Sequence, residues 1–310
     1  MTIVSDVKMD KKVLVTGATG FIGKHLASKL AEANVRCLAR GSSSKEKVRE
    51  LQSYGEVVYG DVRDRESLQK AVNGVDAVIH LVGIMAGMTK EKVTYEQIHV
   101  QGMRNLVNAC SEEGVGRFVY VSALGASPNA VTEYWRSKYE AEEIVRNSSM
   151  NYTIFRPSFV HGEGDMLVSM YVRWMKQYHM AFVPKPNARS QPLHVDDLVH
   201  CLIKSLYDEK TKNKTYEIGG PDRLTLDEFV DNIKDVLNVR ALKIHAPSFM
   251  VKLTRFGPMS KAYQKVFLSP PTTSEQLLML QMDNTCDIEQ IERDFGIVLK
   301  PFKEALKAYV

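Results

Sequence analysis

The stretch Gly17-Ala18-Thr19-Gly20-Phe21-Ile22-Gly23 decides the fold. It follows a β-branched run, Val13-Leu14-Val15-Thr16, and leads into a helical pattern, Lys24-His25-Leu26-Ala27-Ser28-Lys29-Leu30. A strand, a glycine turn and a helix start are together what a dinucleotide pyrophosphate needs. Gly17 permits the tight turn, Gly20 lets the backbone approach the phosphates, and Gly23 lets helix and strand pack closely. The free N–H groups and positive dipole end of the helix then face the phosphates, with Thr19, Phe21 and Ile22 lining the same turn. Glycine triplets of this Gly-x-x-Gly-x-x-Gly spacing also occur in plain turns. Position between a strand and a helix near the N-terminus selects nucleotide binding.

Outward from this stretch, strand-like and helical runs alternate. Residues 35–39, 56–59, 77–82, 118–122 and 151–155 read as strands two to six, and 45–53, 65–72, 95–112 and 134–147 as helices. Apolar strands alternating with helices predict an α/β fold, a Rossmann-type doubly wound parallel sheet with right-handed crossovers. Ligands in that architecture sit outside the carboxyl ends of the strands. The expected organisation is a loose tail at 1–10, a dinucleotide-binding domain at 11–160, and 161–310 partly completing the sheet and partly forming a smaller, mostly helical substrate subdomain.

Composition sets the broad class. With 310 residues, 44% hydrophobic and 25% charged, the chain is an ordinary globular protein, and a net charge of +4 is too mild to argue for nucleic acid. Cys37, Cys110, Cys201 and Cys286 are in no metal-ligand or redox spacing and read as reduced, buried thiols. The first ten residues carry no apolar h-region, and no stretch approaches an uncharged membrane span. The expectation is a soluble, cytoplasmic protein with at most peripheral membrane contact.

The loops after the strands carry the candidate site. After strand two, Arg40-Gly41-Ser42-Ser43-Ser44-Lys45 has no acid to bond a ribose 2′-hydroxyl. Arg40 instead offers a bidentate partner for a 2′-phosphate, with Ser43, Ser44 and Lys45 adding donors, which favours NADP over NAD. The alternative is a solvated loop of small polar residues. After strand three, Asp61 is placed to accept from an adenine amino group beside Val62, and Asp64 to cap a helix. Strand four runs into Leu81-Val82-Gly83, whose small residues let the chain pass under a cofactor, while His80 reads as a satisfied core histidine rather than a metal ligand. Strand five ends at Val121-Ser122. Twelve residues after Ser122, Tyr134-Trp135-Arg136-Ser137-Lys138 places Tyr134 and Lys138 on one helical face. An ammonium beside a phenol lowers the phenol pKa towards neutral proton exchange, and the same ammonium can hold ribose hydroxyls.

Gly17–Gly23, Tyr134-x-x-x-Lys138 and three later stretches resemble the extended and atypical short-chain dehydrogenase/reductases, the sugar epimerase/dehydratase-like branch. Arg156-Pro157-Ser158-Phe159-Val160-His161-Gly162 is similar to that branch's loop beneath the nicotinamide, implying cofactor contacts from Pro157, Phe159 and Val160. Gln191-Pro192-Leu193-His194-Val195-Asp196-Asp197 resembles its His-Val-Asp-Asp segment, and Tyr216-Glu217-Ile218-Gly219-Gly220-Pro221 its later strand and turn. Within the branch, residues 121–126, 219–221 and 270–280 look most like the group holding the nucleotide-binding accessory subunit of respiratory complex I and its free-standing prokaryotic relatives.

The resemblance implies Tyr134 as acid/base and Lys138 as its partner. It also implies a Ser or Thr at the place that falls on Ala123, with Ser122 one residue early and, by strand alternation, on the other face. Two readings follow: an NADP-dependent oxidoreductase or epimerase-like enzyme on an unknown small molecule, or a cofactor-binding scaffold or sensor that rarely turns over.

The second half is less regular. A methionine-rich helix at 166–178 is either a lid or core packing. Asp196 or Asp197 is expected to cap the next helix, Thr225 and Glu228 to form a capping box, and residues 274–281, 287–295 and 302–309 to be helical. The basic, aromatic run at 248–267 reads as a solvated helical cap, with a lipid-facing helix as the alternative.

Overall fold

A computed structural model describes residues 11–31, 33–85, 93–184, 188–246 and 274–310. The tail and the basic run at 248–267 lie outside the described residues. Seven strands form the main sheet: β1 Val13–Thr16, β2 Val35–Ala39, β3 Glu56–Tyr59, β4 Ala77–His80, β5 Arg117–Val121, β6 Asn151–Pro157 and β7 Lys214–Ile218. Their spatial order is β3-β2-β1-β4-β5-β6-β7, every pair parallel. The order reverses between β1 and β4, and that switch point is where a doubly wound sheet opens a crevice for a ligand.

Alternation along the strands builds two cores. Val13 and Val15 face one side with α1 (Phe21–Lys29) and α7 (Val195–Ser205), whereas Leu14 faces the other with α3 (Arg65–Val72), α4 (Gly102–Glu112) and α5 (Glu133–Arg146). All three side chains are fully buried, each contributing about 1.5–3 kcal/mol of apolar transfer energy. A third core joins α6 (Met166–Tyr178), α8 (Leu226–Leu237) and the C-terminal α11 (Phe302–Leu306). There Trp174 and Met175 are buried while Met166 is exposed, so the inner face of α6 is core packing.

Local chemistry explains the helix starts. Ser44 caps α2 (Lys45–Gln52), Asp64 caps α3, Thr132 caps α5 and Asp165 caps α6. Thr225 and Glu228 form the expected capping box on α8. Asp196 and Asp197 do not cap α7: its N-cap is His194, and buried Asp197 instead accepts from the Lys300 backbone N–H at 2.9 Å. The predicted helix 95–112 opens as a π-turn, Glu96–Gln101, before α4. The closing helices are shorter than predicted: α9 Ser274–Met279, α10 Glu289–Phe295 and α11. All four cysteines are buried free thiols.

Candidate functional site

At the switch point the glycine turn has the geometry its sequence demands. Gly17 holds φ +76°, and a Cβ there would stand 3.0 Å from the Leu81 carbonyl carbon, so the loop leaving β4, β1's neighbour, passes hard against the turn. A Cβ at Gly23 would fall 2.3 Å from the Gly17 carbonyl oxygen, a clash with backbone that only glycine avoids. The Gly20 N–H closes the turn on Gly17 O at 2.9 Å. Gly20 itself is the N-cap of α1 and gives no side-chain bond, which leaves the leading N–H groups without a side-chain cap. Thr19, Phe21 and Ile22 are half-buried around them. A backbone cradle of this shape fits a pyrophosphate.

The loop after β2 forms the outer rim. Arg40 and Lys45 are exposed, the Ser43 N–H donates to Arg40 O, and the Ser44 hydroxyl is engaged as the α2 cap. Lys47, not singled out from sequence, reaches across to Thr19 O at 3.4 Å and links this rim to the glycine turn. Asp61 follows β3. Both its oxygens already accept from Arg63, at 3.0 and 2.7 Å, and Arg63 with Arg40 behind it holds the carboxyl below its ordinary range. Val62 is buried against Gly102, where a Cβ would come within 2.9 Å of it.

On the other side of the switch, Leu81 and Val82 are half-buried and Gly83 is exposed. A Cβ on Gly83 would lie 3.8 Å from Lys138 Nζ and 3.6 Å from His99 Nε2. Lys138 is only 3% exposed; it donates to Val121 O at 2.8 Å and stands 4.5 Å from the centre of the Tyr120 ring. Burial brings its pKa down to about 7, against the pull of Glu142. The phenol behaves contrary to expectation. Burial pushes Tyr134 up to about 12, because the ammonium expected to lower it is turned towards Val121 and Tyr120. Tyr134 is therefore a protonated acid at neutral pH.

Ser122 is buried beside the Tyr120 phenol, and its hydroxyl reaches hydrogen-bond geometry with no group among the described residues. Ala123 is buried next to it. Pro157 O accepts from Leu124 N at 2.9 Å, and Phe159 packs edge-on to Phe229 of α8 at 5.7 Å, with Val160 against the main core. His80 is the satisfied histidine expected, its Nδ1 2.7 Å from Thr16 Oγ1.

The wall around Tyr134 comes from residues the sequence reading missed. The Ile84 N–H donates to His99 Nε2 at 2.9 Å, which leaves the proton on Nδ1 to donate to Ser137 Oγ at 2.8 Å. Ser137 in turn donates to Tyr134 O at 2.7 Å. Burial drops His99 to about 2, so it is neutral in one tautomer. Its ring stacks on Tyr95 at 5.4 Å and meets Tyr134 edge-on at 5.7 Å. The one advance signal was His99 four residues after Tyr95 on a helical pattern, which does not say what it faces.

A family model described as NAD(P)H-binding matches residues 17–170, which carry the glycine turn, Lys138 and Tyr134. The mitochondrial NADH dehydrogenase [ubiquinone] 1 alpha subcomplex subunit 9 of Dictyostelium discoideum is 30% identical over 229 residues, 71% of this chain and 62% of that protein. A 3 beta-hydroxysteroid dehydrogenase/Delta 5-->4-isomerase of Mycobacterium tuberculosis is 26% identical across 92% of this chain and 85% of its own. The chain belongs to the extended/atypical short-chain dehydrogenase/reductases. The fold of this chain is also that of UDP-glucose 4-epimerase from Thermotoga maritima, with a TM-score of 0.75 at 18% identity over 95% of this chain and 96% of that one. The chain spans a little under two thirds of the Dictyostelium subunit's length. No helix among its described residues is long and apolar enough to cross a membrane.

Proposed function

We propose that this protein binds NADP(H) and uses it in an oxidoreductase or epimerase-type reaction on a small molecule bearing a hydroxyl or carbonyl group. The observation that carries the reading is the buried Lys138, held by Val121 O and 3.8 Å from a Cβ built on Gly83, on the same loop whose Leu81 and Val82 backbone packs against Gly17. Gly17–Gly23 would take the pyrophosphate, Leu81, Val82 and Gly83 the floor, and Val121, Pro157, Phe159 and Val160 the far wall. Lys138 has N–H groups beyond the one given to Val121, and these suit ribose hydroxyls. The coenzyme, when bound, supplies or accepts hydride. Tyr134, protonated at neutral pH, would give its proton to a developing alkoxide in a reduction and take it back in the reverse step.

The preference for NADP(H) rests on Arg40, exposed at the end of β2 where no acid stands, with Ser43, Ser44 and Lys45 beside it. Titration with both coenzymes tests it. Arg40→Ala weakens NADPH by about tenfold or more, the loss of one charge-assisted bidentate pair, and NADH by less than about twofold. Equal losses overturn the 2′-phosphate assignment. A second reading, a coenzyme-binding scaffold or sensor with little turnover, is favoured by Ala123 at the hydroxyl position together with a Ser122 hydroxyl sealed in the core. The 30% identical complex I subunit supports that reading too.

A further inference from the structure

Helix α5 carries both Tyr134 and Lys138, and its first turn is held from outside. An α-helix leaves its leading N–H groups without intrahelical partners. Here Thr132 Oγ1 accepts only from Trp135 N, at 3.3 Å. The N–H groups of Glu133 and Tyr134 donate instead to Glu275 Oε1, at 2.6 and 3.4 Å. Glu275 lies on α9, more than 140 residues away in sequence. Its second oxygen accepts from the Tyr95 hydroxyl at 2.8 Å. Tyr95 is buried, with its ring edge-on to Tyr134 at 5.8 Å and stacked on His99. One carboxylate therefore grips Tyr134 twice, through its backbone and through the aromatic ring that flanks its phenol. A carboxylate at a helix N-terminus is also favoured by the helix dipole.

We propose that Glu275 is a positioning residue for Tyr134, clasping the first turn of α5 from the C-terminal half and setting the phenol through Tyr95. The proposal rests on the reading of Tyr134 as the acid. Losing the carboxylate removes a negative charge that opposes phenolate and loosens the packing that keeps water from the phenol. Both effects make Tyr134 easier to ionise.

The test is an ultraviolet titration of the full chain, with the Tyr134 signal isolated by difference from Tyr134→Phe, run beside NADPH binding. Glu275→Gln lowers the Tyr134 midpoint by about one pH unit, and Glu275→Asp, which keeps the charge, restores most of it. Thr132→Ala removes the other cap on the same helix and leaves the midpoint where it was. Tyr95→Phe, which breaks the second grip without touching the carboxylate, shifts it the same way by less. NADPH affinity stays within about twofold in all four variants. A Glu275→Gln midpoint equal to wild type, or an equal shift in Thr132→Ala, overturns the proposal. Failure of wild type to bind NADPH sinks the coenzyme reading instead, and the phenol titration still judges Glu275.

Discussion

The glycine turn is built from seven consecutive residues, whereas the wall around Tyr134 joins groups as far as 180 positions apart. The first holds its shape by backbone alone: a positive φ at Gly17 and the missing Cβ at Gly23. The second holds its shape by side-chain bonds among buried polar groups, from Ile84 through His99 and Ser137 to α5, and from Tyr95 through Glu275 back to the same helix. Backbone geometry is indifferent to pH. A wall of neutral imidazole, buried amine and half-buried phenol is not, and this difference gives a way to pull the two regions apart.

The largest expected effect is in acid. His99 in the wall, His80 against β1 and His161 under the C-terminal helix are buried and neutral, with pKa values of about 2, 3 and 3 against an ordinary 6.5. The unfolded chain binds these protons first, so the stability they hold in place is complete above about pH 6.5 and drains away as pH falls towards 3. Three such groups give a slope approaching about 4 kcal/mol per pH unit between about pH 5.5 and 4. Denaturant unfolding at pH 7 and at pH 5.5 measures it, and a flat profile would mean the imidazoles are not sealed.

A smaller effect of the same sign appears on the alkaline side. Lys138 has a folded pKa of about 7 against an ordinary 10.5, so between those values the unfolded chain carries the extra proton. Stability therefore rises from pH 7 to about 10, by up to about 1.4 kcal/mol per unit. Lys138→Met abolishes that slope and makes the coenzyme-free protein more stable at pH 7, while weakening NADPH binding. Unfolding curves of both proteins at pH 7 and 9 decide this, and identical slopes would place Lys138 in water rather than beneath Gly83.

How far each region was legible follows from the same contrast. The parallel sheet, the glycine turn, the Asp64 cap and the Thr225–Glu228 box are encoded by residues a few positions apart, where propensity and spacing suffice. Asp197 was misassigned as a cap because its true partner, Lys300 N, is about a hundred residues downstream. The Tyr134 pKa was misjudged for a related reason. Helical spacing put Lys138 on the same face, and the carbonyl of Val121 and the ring of Tyr120, which take up that ammonium, come from a different strand. Nothing local in Ser274–Met279 marks Glu275 as a partner of α5.

The central claim is that the turn at Gly17–Gly23 grips the coenzyme diphosphate, and Gly20 tests it most directly. Gly20 is exposed at the N-cap of α1, and a Cβ there would meet only the Gly17 carbonyl oxygen, at a tight 3.2 Å, so that oxygen must give by a few tenths of an ångström to admit a side chain that the phosphates would not. Calorimetric titration of wild type and Gly20→Val with NADPH is predicted to give one bound equivalent for wild type and a loss of about a hundredfold or more in the variant, with unfolding midpoints nearly unchanged. Equal affinity in the two proteins, or no binding to wild type, would contradict the account.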